Sequence, residues 1–299
     1  MVDYLPGFID YLGNLKSSSV NTRDSYVRDV RLFLEYASSN GYESAEEIEE
    51  NLIENYVTHL KELGRSNTTI SRNVSSIRCF YKYLIFDGIT DFNPAKNLKL
   101  DKSQKKLPQI LTAEEIDRLL AQPVLSEPKG CRDKAMLELL YASGIRVSEL
   151  INLDIDDVNL QTSTICCKSH KGIRTIPIYT GAVVAISDYI YRMRRLLVDS
   201  PENKALFVNL NGSRLTRQGF WKIIKGYAVS AGITTELTPH TLRHSFAMHL
   251  LENGADVKDL QTIMGHADIS STQIYVQMLD SHIKAVYDET HPKSENKRV

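Results

Sequence analysis

The sequence predicts a mainly α-helical protein of two domains, the second of which contains a small antiparallel β-sheet. Its 299 residues exceed the roughly 100–200 residues of a single domain. Apolar residues recur at helical spacing along most of the chain, whereas alternation with a period of two is confined to residues 152–180. The lysine-rich stretch FNPAKNLKLDKSQKKLPQILT contains two prolines and interrupts the helical pattern near residues 95–110. The predicted organisation is a helical domain over 1–95, a basic linker over 96–110, a second domain over 111–291 and a frayed tail over 292–299.

The first domain is predicted to be a bundle of about four helices. Asn21 or Thr22 is expected to cap one of them, which carries five apolar residues at helical spacing. These residues are Tyr26, Val30, Phe33, Leu34 and Ala37. Three of the helices are expected to stop at glycines: Gly41, Gly64 and Gly88.

The second domain is predicted to begin with a helix capped by Thr112, where TAEE forms a capping box. The next helix, RDKAMLELLYAS, is amphipathic and is expected to end at Gly144. The stretch STICCKSHKGIRTIPI alternates and is rich in β-branched residues, which predicts two short strands joined by a turn at Gly172. Helices are expected again from about Thr180.

Composition excludes several classes of protein. No apolar run approaches the ~20 residues that cross a bilayer, and the N-terminus lacks the pattern of a signal peptide. The four cysteines contain no CxxC pair, and the adjacent Cys166 and Cys167 would point to opposite faces of a strand. A disulfide framework is therefore not expected, and the sequence favours a cytoplasmic protein with no membrane partner.

The net charge of −1 conceals an uneven distribution. Residues 43–62 carry seven acidic side chains against one lysine, whereas residues 67–106 carry eight basic side chains against three aspartates. A basic segment beside an acidic one can form a phosphate-binding face on a nearly neutral protein, although ordinary surface charge gives the same pattern.

The stretch TPHTLRHSFAMHL raises the question of a metal site, because His240 and His244 would share one face of a helix. The intervening TLR lacks the glutamate of a hydrolytic zinc helix, and Arg243 would place a fixed cation beside the ion. The guanidinium of Arg243 instead suits a phosphate or a carboxylate, and His240 can donate to the same anion. We interpret the stretch as an anion site and expect no metal and no cofactor.

Two further stretches have similar chemistry. SGIRVSEL places Arg146 after a glycine turn at a helix start, and MGHADISSTQIY places His266 nine residues before Tyr275. Attack on a phosphodiester needs cationic donors, a nucleophile and an acid for the leaving alkoxide. The candidate donors are Arg146, His240, Arg243 and His266. Tyr275 is the candidate nucleophile, with a pKa that neighbouring cations would lower, and a lysine in the turn of the sheet is the candidate acid. Taken singly, an arginine at a helix start is usually a surface residue, and a tyrosine on a helix is usually a core residue.

These stretches resemble the signature boxes of the tyrosine recombinase (phage integrase) family, and within it the Xer-like recombinases. SGIRVSEL resembles the first arginine box, TPHTLRHSFAMHLLENG the His-x-x-Arg box, and IMGHADISSTQIY the box that joins the second histidine to the tyrosine. Residues 19–36 resemble the N-terminal core-binding domain, so the resemblance covers nearly the whole chain. It implies a SAM-like helical core-binding domain followed by a mostly helical catalytic domain with a small sheet.

The resemblance also implies roles for individual residues. Four of them would bind and activate the scissile phosphate without metal or ATP: Arg146, His240, Arg243 and His266. Tyr275 would attack that phosphate and form a covalent 3′-phosphotyrosine and a free 5′-hydroxyl. Glu149 matches an acidic position that supports the site.

The lysine departs from the Xer pattern, because Gly-Lys-Gly-x-Lys is replaced here by CCKSHKGIRTIPI. Integrases of mobile elements often place a lysine nine residues before the proline of Ile-Pro, as Lys168 stands before Pro177. This similarity assigns the general acid to Lys168, with Lys171 as the alternative. His244 and His249 match no family position and are expected to serve in helix packing or hydrogen bonding.

The resemblance implies double-stranded DNA with paired recombination sites as the substrate, clamped between the two domains, in a nucleoid-associated cytoplasmic protein. A homotetramer or heterotetramer on DNA is expected, and an accessory translocase is a further candidate partner. The helix after Tyr275 would dock on a neighbouring protomer, or pack on its own domain, through Met278, Leu279, Ile283, Val286 and Tyr287. The enzyme would resolve chromosome or plasmid dimers, or integrate and excise a mobile element.

Two other functions fit parts of the sequence. A helix-turn-helix regulator could use LLYASGIRVSELINL, and it would keep its function after Tyr275→Phe. A type IB topoisomerase would use a similar residue set, but would relax DNA as a monomer without exchanging strands between sites.

Overall fold

Helices dominate the structure, a computed structural model that describes residues 4–15, 20–100, 108–169, 172–198, 200, 202–238, 240–265 and 270–290. The chain divides into two compact units, Met1–Lys105 and Lys106–Val299. The predicted fold, mainly α with a small antiparallel sheet, is confirmed. Part of the predicted linker, residues 101–107, and the predicted tail, residues 292–299, lie outside the described residues.

Within its described residues, the first unit contains the predicted four helices. They are α1 Leu5–Asn14, α2 Val20–Ser39, α3 Glu50–Glu62 and α4 Asn67–Phe86. Their apolar faces enclose one core, in which Phe8, Phe33 and Phe80 are fully buried. Glycines with positive φ follow α2, α3 and α4 at the predicted positions: Gly41, Gly64 and Gly88. Glycine suits these ends because it adopts the left-handed conformation without a Cβ clash.

The second unit is built mainly from eight further helices in the part of the chain that the structure describes. They are α5 Ala113–Leu120, α6 Pro128–Ser143, α7 Val147–Asn152, α8 Thr180–Asp188, α9 Arg217–Ser230, α10 Thr241–Glu252, α11 Val257–Met264 and α12 Ser270–Thr290. The prediction that α6 is amphipathic is wrong, because its charged residues Arg132, Asp133 and Glu138 are buried along with its apolar ones. Arg132 and Asp133 form an ion pair of 2.7 Å, which compensates for their burial.

Of two predicted helix caps, the structure contains one and lacks the other. Thr112 forms the expected capping box at the start of α5, where its side chain accepts from the Glu115 N–H. The cap predicted at Asn21 or Thr22 is wrong, because α2 already begins at Val20 and both residues are helical. A capping residue lies outside the helix and has a non-helical backbone.

The sheet has three antiparallel strands in the order β1 Val158–Asn159, β2 Thr164–Ser169 and β3 Gly172–Pro177. The predicted pair, β2 and β3, is therefore present beside a third strand too short to show in the sequence pattern. Cys167 is buried and Cys166 is half-buried, as expected for opposite faces of a strand. Across the ladder, Cys167 pairs with Arg174, and Lys168 pairs with Ile173. Arg174 and Lys168 therefore extend from opposite faces of the sheet.

Helices α10, α11 and α12 enclose a second apolar cluster of this unit, which includes Met264, Tyr275 and Met278. Met278 is buried and Leu279 packs against the cluster, so the first half of α12 packs on its own unit. Tyr287, near the end of α12, is 55% exposed. The side chains of Ile283 and Val286 are not among those that the structure describes. No helix among the described residues is long and apolar enough to cross a membrane.

Candidate active site

The first part of the candidate site is the turn between α6 and α7. Gly144 ends α6 with φ +57°, and two residues later Arg146 occupies the N-cap position of α7, as the sequence predicted. The Arg146 N–H donates to Glu149 Oε2 at 2.8 Å, and its guanidinium lies 3.5 Å from Glu149 Oε1. The Arg146 side chain keeps 39% of its surface exposed, so it can reach a ligand.

Arg174 joins this turn to two other elements, although no motif of the sequence points to it. It extends from β3 and donates to Glu149 Oε1 at 2.8 Å and to Glu149 Oε2 at 2.9 Å. Its Nε–H also donates to the Ile263 carbonyl of α11 at 3.0 Å. Burial opposes ionisation of Glu149, but hydrogen bonds from Arg174 and Arg146 outweigh it and hold the pKa of Glu149 below its ordinary value. Strand alternation contained the signal, because it places Arg174 on the same buried face as Ile176.

Arg243 lies almost completely buried in the first turn of α10. It donates from Nη1 to the Gly144 carbonyl and from Nη2 to the Met264 carbonyl, the latter at 2.7 Å. Burial, with a smaller effect of the Arg146 charge, lowers the pKa of Arg243 to about 10, so it remains a cation at neutral pH. The Gly144 turn, the start of α10 and the end of α11 thus meet around one guanidinium.

His240 lies at the N-cap position of α10 rather than inside the helix. Its ring centroid is 6.0 Å from that of His244. Partial burial and the charges of Arg243 and Arg146 lower the pKa of His240. Within the described residues, no three His, Cys, Asp or Glu side chains are grouped so that they could hold a metal ion.

The candidate nucleophile contacts a histidine to which the sequence analysis assigned no specific role. The Tyr275 hydroxyl and His244 Nδ1 are 2.8 Å apart, and Tyr275 is 2% exposed. The Arg243 and Arg146 charges lower the pKa of Tyr275, as predicted, but burial has the larger effect and raises it above 10.0. The predicted net direction was therefore wrong, because the sequence did not reveal the burial. His249, also on α10, is hydrogen-bonded at 2.8 Å to the Tyr141 hydroxyl, as expected for a histidine in helix packing.

The candidate general acid, Lys168, forms an ion pair of 2.6 Å with Asp157. Its side chain is 63% exposed, and its hydrogen bond to Asp157 raises the pKa of Lys168. It extends from the face of the sheet opposite to Arg174. Lys171 and His266 lie outside the described residues.

Comparison with known proteins identifies both units. Residues 109–282 match the model of the phage integrase family, and residues 5–88 match the N-terminal SAM-like domain of phage integrases. A tyrosine recombinase XerD from Oceanobacillus iheyensis is 42% identical, over 98% of this chain and 100% of the relative. A second XerD, from Halalkalibacterium halodurans, is also 42% identical, over 97% of this chain and 98% of the relative.

Solved structures agree on the fold. The XerA recombinase is 30% identical and covers 97% of this chain and 99% of its own, with a TM-score of 0.54. The XerH recombinase, bound to its palindromic difH substrate after cleavage, gives a TM-score of 0.77 at 22% identity. That match covers 91% of this chain and 81% of XerH.

Proposed function

The chain belongs to the phage integrase family of tyrosine recombinases, and from this premise we propose how its second unit cuts and rejoins duplex DNA. It is a site-specific tyrosine recombinase, an enzyme that transfers DNA strands. We propose Tyr275 as the nucleophile. The observation that carries this proposal is that two arginines lie close enough to Tyr275 to act on its hydroxyl. Burial raises the pKa of Tyr275, and the charges of Arg243 and Arg146 act against that effect.

In the proposed step, the Tyr275 hydroxyl gives up its proton to water and its oxygen bonds to phosphorus. The bond from phosphorus to the 5′ oxygen breaks, and the leaving oxygen takes a proton from the general acid. Charge develops on the non-bridging oxygens, and Arg146 and Arg243 supply the positive charge that stabilises it. Arginines thus provide the stabilisation that a metal ion gives in other phosphoryl-transfer sites, so we expect no metal requirement. The phosphotyrosine retains the energy of the phosphodiester, so a 5′-hydroxyl can reverse the step without ATP.

Three more residues support this step in our proposal. His240, at the start of α10 beside Arg243, is a further donor to the phosphate. Glu149 is a positioning residue, because its carboxylate binds both Arg146 and Arg174. His266 is assigned as a donor by its place in the sequence box alone.

Trapping of a covalent complex tests the nucleophile and the reaction class. Nicked duplexes that span candidate sites are incubated with the wild-type protein and with Tyr275→Phe, in EDTA, and then separated on a denaturing gel. We expect a DNA-linked band only with the wild-type protein, because Phe keeps the ring and removes the attacking oxygen. A band with Tyr275→Phe would overturn the assignment, and equal DNA binding without any band would favour a regulator.

A lysine of the sheet turn is the proposed general acid, with Lys168 as the first candidate and Lys171 as the alternative. The Asp157 ion pair keeps Lys168 protonated, which an acid requires, but this pair must open for Lys168 to reach the leaving oxygen. A substrate with sulfur at the 5′ bridging position has a leaving group that needs no proton. If Lys168 is the acid, Lys168→Ala should cleave ordinary DNA slowly and the sulfur substrate at nearly the wild-type rate. If Lys171 is the acid, Lys171→Ala should show this rescue instead.

We further propose that double-stranded DNA with paired sites is the substrate, that the first unit contributes to DNA binding and that the active form is a homotetramer or heterotetramer. We also propose that the enzyme is cytoplasmic and that it resolves dimers of chromosomes or plasmids, or integrates and excises a mobile element. Strand exchange between two sites on one plasmid tests this. Exchange products are expected, whereas relaxation without exchange would favour a topoisomerase.

A further inference from the structure

We propose that His244 is a catalytic residue that orients the Tyr275 hydroxyl for attack by accepting its hydrogen bond at Nδ1. This inference rests on the proposed role of Tyr275 as the nucleophile. It adds a residue on the nucleophile's side of the reaction, whereas the donors and the lysine act on the phosphate and on the leaving oxygen.

The geometry of the contact between His244 and Tyr275 supports an orienting role. His244 Nδ1 and the Tyr275 hydroxyl are 2.8 Å apart, which is a normal length for this hydrogen bond. The two rings lie 5.6 Å apart between centroids at an interplanar angle of 50°, and Tyr275 is 2% exposed. A hydroxyl held by packing and by a directional acceptor has lost much of its freedom before DNA arrives, and such preorganisation lowers the barrier to attack.

The charge state of His244 also supports this role. Burial, with smaller effects of His240 and Arg243, lowers the pKa of His244 to about 4, so its imidazole is neutral at physiological pH. A neutral imidazole presents a lone pair at one ring nitrogen, and a protonated Tyr275 hydroxyl can donate to it. Burial raises the pKa of Tyr275 above its ordinary value, whereas the pKa of His244 is lowered, so full transfer of the Tyr275 proton to this imidazole is unfavourable. Orientation of the hydroxyl, rather than removal of its proton, is therefore the role that fits.

The position of Arg243 next to His244 is a further observation in favour of this role. It precedes His244 on α10 and is held by the Gly144 and Met264 carbonyls. One turn of α10 thus fixes a cation for the phosphate and an acceptor for the nucleophile. Two alternatives give different outcomes: pure packing by His244 predicts no effect on cleavage beyond stability, and a latch that withholds Tyr275 predicts faster cleavage once His244 is removed.

The test compares His244→Asn, His244→Gln and His244→Phe by the single-turnover rate of covalent trapping on a nicked duplex. The Asn amide lies at the position of Nδ1, whereas the Gln amide lies one bond further out. We expect His244→Asn to remain within about 10-fold of wild type and both others to lose about 100-fold, the scale of a misplaced reacting group. His249→Phe is the matched control, because it removes a histidine–tyrosine hydrogen bond of 2.8 Å from the same helix.

Three comparisons separate these roles of His244. Wild-type trapping that needs Tyr275 establishes the reaction itself, so failure of that control is separate from failure at His244. The inference is supported if His244→Gln cleaves slowly on the 5′ sulfur substrate as well as on ordinary DNA. The unfolding temperature of this variant should be unchanged. Wild-type or faster cleavage by a folded His244→Phe overturns it. If His244→Phe does not fold, equal rates for the Asn and Gln variants overturn it instead.

Discussion

The Arg174 guanidinium binds the Glu149 carboxylate through two parallel hydrogen bonds of 2.8 and 2.9 Å. Both side chains are largely buried, with 15% and 10% of their surfaces exposed. A forked guanidinium fits a carboxylate in a way that a lysine ammonium does not. The pair therefore fixes the carboxylate that holds Arg146, and it connects the sheet to α7 and α11.

Loss of Arg174 should weaken both the fold and the reaction. Arg174→Ala leaves the Glu149 charge buried without its main partner, and we expect a loss of roughly 3 kcal/mol in the free energy of unfolding. Arg174→Lys should recover part of the stability but little of the cleavage rate. Denaturant unfolding and covalent trapping measure the two effects. Arg192→Ala, which breaks a mostly exposed ion pair with Asp188, is the control and should cost under about 1 kcal/mol. An equal cost for both alanine variants would contradict the importance of the buried pair.

His244 should make stability depend on pH. Its pKa is about 4 in the folded state and about 6.5 in the unfolded chain. As the pH falls below about 6.5, the unfolded chain binds a proton that the folded state does not, so the free energy of unfolding decreases until about pH 4. Urea unfolding at several pH values should therefore show a smaller decrease for His244→Asn than for wild type. Parallel pH profiles of the two proteins would show that His244 titrates normally.

Gly144→Ala should be more damaging than an ordinary glycine substitution. Gly144 has φ +57°, and an added Cβ would lie 2.2 Å from Cδ1 of Phe246. Left-handed strain and the clash together should cost roughly 2–4 kcal/mol and displace the carbonyl that holds Arg243. Gly232→Ala is the matched control, because Gly232 has φ +65° and nothing within 4 Å of the added Cβ. It should cost about 1–2 kcal/mol and leave trapping unchanged. Similar losses in both variants would mean that the contact with Phe246 relaxes.

The two halves of α12 should respond differently to substitution. Met278 is 8% exposed in the cluster of its own unit, so Met278→Ala should cost about 2–5 kcal/mol. Tyr287 is 55% exposed, so Tyr287→Ala should change stability by only about 0.5 kcal/mol and, if this end of α12 joins protomers, should weaken assembly on paired sites. Thermal unfolding and sizing of the DNA complex give the two readouts. Unchanged assembly in the Tyr287 variant would contradict a role for this end of α12.

Local features of the chain could be predicted from the sequence because local chemistry determines them. The capping box at Thr112, the end of α6 at Gly144 and the position of Arg146 at the start of α7 each depend on a few adjacent residues. The order of the motifs then indicated the family, which the comparisons confirm.

The features that could not be predicted from the sequence depend on residues far apart in the chain. Tyr275 and His244 are 31 positions apart, and Arg174 and Glu149 are 25 apart, so no local pattern announces either contact. The pKa of Tyr275 was predicted in the wrong direction because its burial comes from the packing of α10, α11 and α12. Pairing of this kind is determined by tertiary packing, which overrides what a single segment indicates.

Identification of the residue that carries the DNA is the most direct measurement of the proposed chemistry. The covalent complex is trapped on a nicked duplex, digested with protease and nuclease, and its nucleotide-bearing peptide is sequenced by mass spectrometry. We predict that the nucleotide is attached through its 3′ phosphate to Tyr275. Attachment to any other residue, or through a 5′ phosphate, would contradict the site assigned to this enzyme.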